Sequence, residues 1–213
     1  MEYPKIPTLF TRDPKTHKVN VGEYSHPVFG TIDKWDVYEK IDGMNIRIIW
    51  EIPSCFKNGV LTFGGRTDNA QIPAKLLPYL NEHFTVETMK GAFPECDFVT
   101  IFGEGYGAGI QNGGKYNPEQ RFRVFDVMVG EWWLKPEDVD DVAQKLDIRI
   151  APRIGLLPLS FAVERARAGC LSLVDVAEGE QRNAEGIVAR PVEQLYFRNG
   201  DRVMWKLKTK DFV

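Results

Sequence analysis

Residues 35–52 of the chain read WDVYEKIDGMNIRIIWEI. Both ends of this stretch are rich in Val, Ile, Trp and Tyr, which are enriched in β-strands, whereas its middle carries an Asp-Gly pair of the kind found in turns. We predict strands at Trp35–Glu39 and Asn45–Ile52, joined by a short turn. This prediction places Lys40 at the end of the first strand, directly before the turn.

Strand-like segments of similar composition recur along the chain, and helical segments are fewer. Further strands are predicted at Val60–Gly65, Phe98–Phe102, Arg121–Val129, Gly186–Arg190 and Arg202–Lys208, with tight turns at 57–59 and 130–131. Helices are predicted at Gln71–His83, Pro136–Asp147, Ser160–Ala168 and Ser172–Ala177. Strands, then interspersed helices, then strands again predict an α+β domain with mainly antiparallel sheets.

The composition is that of a globular protein. The chain has 213 residues, of which 43% are hydrophobic and 27% charged. No apolar run approaches the ~18 residues that span a bilayer, and the N-terminus lacks the basic start and apolar stretch of a signal peptide. Cys55, Cys96 and Cys170 lie far apart without a CxxC spacing, so neither a disulfide framework nor a zinc site is predicted. These features favour a cytoplasmic protein with no membrane partner.

The charge balance excludes one mode of nucleic-acid binding. A net charge of −3 does not suit a protein that coats nucleic acid by bulk attraction, but it permits a local anion site. The basic residues concentrated in 198–213 favour such a site. In a strand, Lys206 and Lys208 would project from one face, and Trp205 and Leu207 from the other. Two cations on one face would bind a polyphosphate and would lower the pKa of a neighbouring amine.

Lys40 is the candidate nucleophile. A lysine amine attacks only when it is unprotonated, so it needs a desolvated or cation-rich environment. Downstream, an acid beside a glycine lies at the edge of an apolar strand twice, at Glu104 and at Glu185. Between them is the pair Phe125-Asp126, where strand alternation places Phe125 on the face opposite Val124 and Asp126. The chain thus carries, in order, Lys-x-Asp-Gly, strand-Glu-Gly, Phe-Asp, Glu-Gly and Lys-x-Lys.

This order resembles the motif series of the covalent nucleotidyltransferases, the superfamily of ATP-dependent RNA and DNA ligases and mRNA capping enzymes. The resemblance is closest to the RNA ligase 2 family, which favours an asparagine two residues past the motif glycine, as Asn45 follows Gly43. Residues 102–104 (Phe-Gly-Glu), with 109–111 (Gly-Ile-Gln) downstream, also look like that family's third motif and its sequel. The match covers 39–208 and implies an α+β fold: a ligase-type nucleotidyltransferase (ATP-grasp-like) domain of mainly antiparallel sheets with flanking helices.

The resemblance also implies a role for each motif residue. Lys40 would carry AMP, Asp42 and Gly43 would complete the nucleophile turn, and Lys206 and Lys208 would hold phosphates. The residues implied to hold the nucleotide are Glu39, Gly43, Asn45, Arg66 (in the run 64–67), Glu104 at the ribose, Phe125 stacked on adenine, and Glu185. Glu185 is in addition the implied ligand of a divalent cation, Mg²⁺ or Mn²⁺.

The implied activity is ATP-dependent RNA ligation. Lys40 attacks ATP and carries AMP, which passes to a 5′-phosphate of RNA or of an RNA-containing nicked duplex, and a 3′-hydroxyl then seals the strand. Ligases of this superfamily normally carry a second, C-terminal domain, whereas this chain stops shortly after Lys208. We expect a single nucleotidyltransferase domain over residues 1–213. Three consequences stay open: slow self-adenylation, a weak grip on the substrate, or a separate protein partner that supplies the missing part.

Three alternatives stay open on the sequence alone. They are a minimal ATP-dependent DNA ligase, a capping-type enzyme that uses GTP, and a nucleotide- or nucleic-acid-binding module that does not catalyse. The module would bind ATP without a covalent label. The presence of Lys40, Glu185, Lys206 and Lys208 together favours an enzyme, because the loss of one of them would be enough to stop turnover.

Overall fold

The computed structural model describes residues 1–53, 59–176 and 180–213. Contacts divide the chain into two compact units, the first made of Met1–Tyr3 and Asp42–Ala151 and the second of Pro4–Ile41 and Pro152–Val213. In the part of the chain that is described, none of the helices combines the length and the apolar character that a membrane crossing demands.

Strands predominate over helices in the described chain. In chain order the strands are β1 (Phe10–Arg12), β2 (Val19–Tyr24), β3 (Lys34–Lys40), β4 (Met44–Glu51), β5 (Val60–Gly65), β6 (Phe98–Tyr106), β7 (Arg121–Val129), β8 (Trp132–Trp133), β9 (Arg149–Ile150), β10 (Arg153–Pro158), β11 (Gly186–Arg190) and β12 (Trp205–Lys208). The helices are α1 (Leu77–His83), α2 (Val86–Ala92), α3 (Pro136–Lys145) and α4 (Leu159–Ala168). Short 3₁₀ turns lie at Pro27–Thr31, Gly113–Lys115 and Thr209–Asp211.

The first unit is built on a sheet with the strand order β5-β4-β6-β7-β8, in which neighbours are antiparallel and β9 pairs in parallel with β7. One face packs against α1, α2 and α3, because alternate side chains such as Ile46, Ile48 and Ile101 are apolar and fully buried in that core. The same alternation places Asn45 and Glu104 on the opposite face, and these two residues are direct partners in the β4–β6 register.

The second unit contains an antiparallel sheet with the order β10-β3-β11-β12, and a separate β1–β2 pair. Its core lies on one face, where Trp35, Val37, Trp205 and Leu207 are fully buried together with residues of α4. The intervening residues of β3 and β12 therefore project from the other face of the sheet. Lys40 is one of them.

The predicted α+β fold class, with mainly antiparallel sheets and flanking helices, is confirmed by this topology. Two details of the helix prediction were wrong. The predicted helix Gln71–His83 begins only at Leu77, four residues after Pro73, and Ser172–Ala177 is not helical over its described residues. The turn at 130–131 is confirmed. The turn at 57–59 falls largely on residues outside the described ranges.

Candidate active site

Three charged side chains meet on the open face of the second unit's sheet. Gly186 is the register partner of Lys40 on β3 and of Lys208 on β12, so the residue before it, Glu185, lies near both lysines. Lys40 Nζ is 2.7 Å from Glu185 Oε2, and Lys208 Nζ forms an ion pair with Glu185 Oε1. Only glycine fits at position 186, because a Cβ there would lie 2.1 Å from the carbonyl oxygen of Leu207.

The electrostatic balance at Glu185 favours the carboxylate. Its side chain is only 12% exposed, and this burial by itself raises the pKa of the Glu185 carboxyl. Lys40 and Lys208 lower the pKa by more than burial raises it, so the net pKa lies below its ordinary value. The sequence predicted that lysines would surround Lys40, and the structure adds a carboxylate between the lysines. Nucleophilic attack requires the neutral amine. If Lys40 is the nucleophile, the Lys40–Glu185 pair has to separate before attack.

Lys206 lies on the same face of β12 as Lys208. Trp205 and Leu207 are fully buried whereas Lys206 and Lys208 are partly exposed, which confirms the predicted alternation along this strand. Val188 is the register partner of Lys206 on β11. The two lysines therefore lie two residues apart on one face of the strand.

The Glu39 carboxylate is buried and bonded to a segment far away in the sequence. It accepts a hydrogen bond from the Ser172 hydroxyl (2.6 Å) and another from the Leu173 backbone N–H (2.7 Å). Ser172 Oγ also accepts from the Val174 N–H, at 3.1 Å. Ser172 thus binds Glu39 and the Val174 N–H, and the described residues of the predicted helix, 172–176, are not helical. A nucleotide contact by Glu39 stays a prediction.

Asp42 and Gly43 hold the start of the first unit's sheet against the segment that follows β6. The Asp42 N–H donates to Tyr116 Oη at 3.2 Å, and Asp42 Oδ2 accepts from Asn112 Nδ2 at 2.8 Å. Gly43 permits a close approach of backbones, because a Cβ there would lie 2.3 Å from the carbonyl oxygen of Gly105. Asp42 is therefore tied to residues seventy or more positions later.

Asn45 is one of three described residues of the first unit, with Thr100 and Gln120, that have a buried side-chain polar atom without a partner. Its Oδ1 atom is buried, and within the described chain no donor bonds to it. Buried polar atoms in folded proteins nearly always have a partner, so Asn45 Oδ1 is a candidate for a ligand contact. Glu104, its register partner, is half-buried on the same face.

Phe125 and Arg66 are the remaining predicted nucleotide contacts. Phe125 is the extra residue of an irregularity in β7, since Phe102 pairs with Asp126 and Gly103 with Val124. Its ring meets the ring of Tyr3 edge-on at 4.9 Å. Arg66 directly follows β5 and is exposed.

The predicted position of Phe125 opposite Val124 agrees with the structure, but its predicted position opposite Asp126 was wrong. Tyr3 contacts the Phe125 ring and also donates from its hydroxyl to Asp126 Oδ2 at 2.5 Å, so both side chains meet the same residue. Val124 and Val127 instead lie in the core. The extra residue in β7 shifts the alternation by one position at this point.

Sequence reasoning also missed a polar network on the sheet of the second unit. Asp36 accepts from the Tyr38 hydroxyl at 2.7 Å and from Arg153 Nε at 2.5 Å, and the Arg190 guanidinium lies 4.6 Å from the centre of the Tyr38 ring. Burial raises the pKa of Tyr38, and the hydrogen bond with Asp36 raises the pKa of Arg153. The signal in the sequence was the period-two series Asp36, Tyr38, Lys40, which shares one strand face.

The residues do not form a metal site by themselves. Over residues 1–53, 59–176 and 180–213, no three His, Cys, Asp or Glu side chains converge in a way that could hold a metal ion. A cation bound at Glu185 would therefore take most of its ligands from water and from substrate phosphates, which is the usual way in which Mg²⁺ is held at phosphoryl-transfer sites.

Comparison with known proteins identifies the family. A family profile described as RNA ligase matches residues 33–208. The chain belongs to the RNA ligase family, and the resemblance drawn from its motifs is confirmed at that level. Among curated protein sequences, none matches this chain.

Solved structures of Naegleria gruberi RNA ligase share the fold. A lysine-to-alanine mutant with ATP and Mn has a TM-score of 0.62 at 16% identity, over 99% of this chain and 62% of that one. A mutant with AMP and Mn has 0.61 at 17%, over 99% and 60%, and the form with PPi has 0.60 at 17%, over 99% and 62%. This chain thus spans about three fifths of the length of those ligases.

Proposed function

We propose that this chain is an ATP-dependent RNA ligase that works through a lysyl-AMP intermediate on Lys40. The observation that carries the proposal is the position of the Glu185 carboxylate between the ammonium groups of Lys40 and Lys208. Ion pairs of this kind also occur for purely structural reasons. Here, however, the pairs join the candidate nucleophile to the two later motifs in a chain of the RNA ligase family, which supports a catalytic role.

In the first step, the neutral Lys40 amine attacks the α-phosphorus of ATP. A nitrogen–phosphorus bond forms, the bond from the α-phosphorus to the bridging oxygen breaks, and pyrophosphate leaves with that electron pair. Lys206 and Lys208 neutralise charge on the phosphates, since positioning and charge stabilisation supply most of the catalysis in phosphoryl transfer. The resemblance assigns the ribose to Glu104 and the adenine ring to Phe125, and the orphaned Asn45 Oδ1 supports a ligand contact at that atom.

A divalent cation would be held here by one carboxylate, together with water and substrate phosphates. Glu185 is the carboxylate that would hold Mg²⁺ or Mn²⁺, and such an ion would supply charge neutralisation to the departing pyrophosphate. Separation of the Lys40–Glu185 pair would allow the Lys40 amine to lose its proton and react.

In the later steps, the AMP group moves from Lys40 to a 5′-phosphate of RNA. The 5′-phosphate oxygen bonds to the phosphorus of AMP, and the amine of Lys40 leaves. A 3′-hydroxyl then attacks the activated 5′-phosphate, a phosphodiester forms, and AMP leaves. Activation by AMP gives the end a good leaving group, so the sealing step needs mainly correct positioning of its two ends.

Labelling with α-³²P ATP tests the proposal. Wild type with Mg²⁺ or Mn²⁺ is expected to retain label after denaturation, whereas Lys40→Ala is expected to retain none. Lys34→Ala is the matched control, because Lys34 begins the same strand and is exposed. Absence of label from wild type, or persistence of label in Lys40→Ala, would overturn the proposal.

Nick-sealing and nucleotide-preference assays on the same protein distinguish the RNA ligase from the three alternative functions. An RNA ligase is expected to seal a nick with an RNA 3′-hydroxyl strand at least about tenfold faster than an all-DNA nick. Faster sealing of the all-DNA nick would identify a DNA ligase, and label from GTP in preference to ATP would identify a capping-type enzyme. Saturable ATP binding without covalent label would identify a binding module.

A further inference from the structure

Asp211, three residues after Lys208, is a buried carboxylate whose two oxygens are used separately. Oδ2 accepts the backbone N–H of Lys208 at 2.9 Å, and Oδ1 forms an ion pair with Arg12 Nη2 at 2.8 Å. Only 4% of the Asp211 side chain is exposed, against 35% of Arg12. Asp211 thus connects the backbone of a motif lysine to the N-terminal region of the same unit.

Arg12 is itself held in place by that region. Its Nη1 donates to the carbonyl oxygen of His17 at 2.6 Å, and its Nη2 donates to Thr8 Oγ1 at 3.3 Å. Arg12 ends β1, and His17 lies in the connection between β1 and β2. These two hydrogen bonds orient the guanidinium independently of Asp211. Little further side-chain freedom therefore has to be lost for the ion pair to form.

The backbones of Lys206 and Glu185 also form hydrogen bonds with residues that are not part of β11 or β12. The Lys206 N–H donates to Pro7 O at 2.9 Å, and Lys206 O accepts from the Leu9 N–H at 3.2 Å. The Thr209 N–H donates to Glu185 O at 3.1 Å. The N-terminal segment and the turn at 209–211 together hold the strand that carries both lysines.

We propose that Asp211 and Arg12 are positioning residues for adenylyl transfer, because they fix the backbone of Lys208 and so direct its ammonium group at the reacting phosphates. Neither residue touches the reacting atoms. The proposal rests on the function proposed above. A lysine side chain is long and flexible, so its placement depends on its backbone, and a displacement of about 1 Å can cost on the order of a hundredfold in rate.

Two variants at position 211 distinguish a positioning role of Asp211 from a general contribution of its charge to the fold. In Asp211→Asn the side-chain carbonyl oxygen can still accept the Lys208 N–H but offers no charge to Arg12, whereas in Asp211→Ala the side chain accepts nothing. Asp211→Ala is expected to slow lysyl-AMP formation at saturating ATP by at least about tenfold, with the KM for ATP changed much less. Asp211→Asn is expected to recover most of that rate. Asp201→Ala is the matched control, because Asp201 is exposed and its side chain bonds within its own turn.

Arg12→Ala provides a second variant that leaves the Lys208 acceptor in place. It is expected to slow labelling less than Asp211→Ala, with Lys15→Ala on the same hairpin as the charge-matched control. Labelling by Asp211→Ala at the wild-type rate, or equal loss in Asp211→Ala and Asp211→Asn, overturns the positioning role. Absence of label from wild type contradicts the proposed function itself.

Hydrogen exchange at the Lys208 amide tests the same inference without activity. Asp211→Ala is expected to speed exchange of this amide by at least about tenfold, because its acceptor is lost, while Asp211→Asn and Asp201→Ala leave the exchange rate near that of wild type. Unchanged exchange in Asp211→Ala overturns the inference even if the chain forms lysyl-AMP. If Asp211→Ala does not fold, Asp211→Asn and Arg12→Ala provide the comparison, because both keep an acceptor for the Lys208 N–H and lose the ion pair. Slow exchange of this amide is expected in both variants, and exchange as fast as that of an unprotected amide in either one overturns the inference.

Discussion

At Glu185, burial and charge act on one carboxyl group in opposite directions. Burial alone would favour the neutral acid, but ammonium groups on both sides keep the carboxylate ionised. A consequence of such a buried pair is that the loss of one partner leaves a charge without compensation. Glu185 is therefore a structural residue of the sheet and a candidate catalytic residue at once.

The lowered pKa of Glu185 predicts the pH dependence of its contribution to stability. A carboxyl group with a depressed pKa stabilises the fold above its unfolded-state pKa of about 4.3 and loses that contribution as the pH falls through the folded-state pKa. Urea unfolding of wild type and Glu185→Gln should therefore differ most near neutral pH, and the difference should shrink in acid. Glu95→Gln, at an exposed carboxylate, should show no such trend. A constant difference from pH 7 to pH 3 would contradict the assignment.

Gly43 predicts a second effect at the residue scale. Gly43→Ala brings a Cβ into contact with backbone, which cannot move aside easily, so we expect a loss of about 1–3 kcal/mol in the free energy of unfolding. Gly91→Ala is the matched control. Position 91 lies within α2 with nothing within 4 Å of the added Cβ, so this substitution should stabilise the protein by about 1 kcal/mol. Equal effects at the two positions would be inconsistent with the close approach at Gly43.

At the scale of elements, β3 uses both of its faces. Trp35 and Val37 pack in the core, while Asp36, Tyr38 and Lys40 project from the polar face. Glu39 falls on the core side of the alternation, where a carboxylate needs donors, and the segment after α4 supplies them. Ser172 and Leu173 are thereby hydrogen-bonded to β3, the strand that ends at the candidate nucleophile Lys40.

The bond from Ser172 to Glu39 gives a prediction for this element. Ser172→Ala removes one donor from a buried carboxylate, and we expect the free energy of unfolding to fall by about 1–3 kcal/mol. Ser160→Ala in α4 is the control, because Ser160 is exposed and alanine favours helices. Urea unfolding of both variants measures the difference, and a loss at Ser172 no larger than at Ser160 would show that the bond contributes little.

At the scale of the whole molecule, the chain has two hydrophobic cores, one in each unit. The first lies between the larger sheet and α1–α3, and the second lies between the smaller sheet and α4. The family match spans parts of both units, from residue 33 to residue 208. The motif residues are accordingly divided between the two units. Lys40, Glu185, Lys206 and Lys208 belong to the second unit, and the motif residues from Asp42 to Asp126 belong to the first.

Nucleotide binding should stabilise the whole chain. A ligand that binds only the folded state stabilises it by about 2.7 kcal/mol at one hundred times its Kd. We expect ATP with Mn²⁺ to raise the Tm of Lys40→Ala, in which no covalent bond can form, and GTP to raise it less. Asn45→Ala, combined with Lys40→Ala, should reduce the shift, because it removes the buried acceptor that lacks a partner in the described chain. An equal shift with and without Asn45 would exclude a nucleotide contact at that residue.

The sequence by itself determined the features that depend on local geometry and on motif order. The alternation of Lys206 and Lys208 with buried Trp205 and Leu207 follows from the period of a strand, which any extended backbone imposes. The turn after Lys40 and the ordered motifs were likewise readable along the chain, and the motifs led to the correct family.

Only the tertiary structure decided which distant residues meet. Tyr3 and Asp126 are 123 positions apart, and Glu39 and Ser172 are 133 apart, so no local pattern encodes these contacts. The extra residue at Phe125 broke an alternation that the sequence alone predicted to continue. Register and burial depend on the free energy of the whole packed sheet, whereas periodicity depends on the backbone of a few neighbouring residues. For that reason the pairing of Asp211 with Arg12 could be seen only in the folded chain.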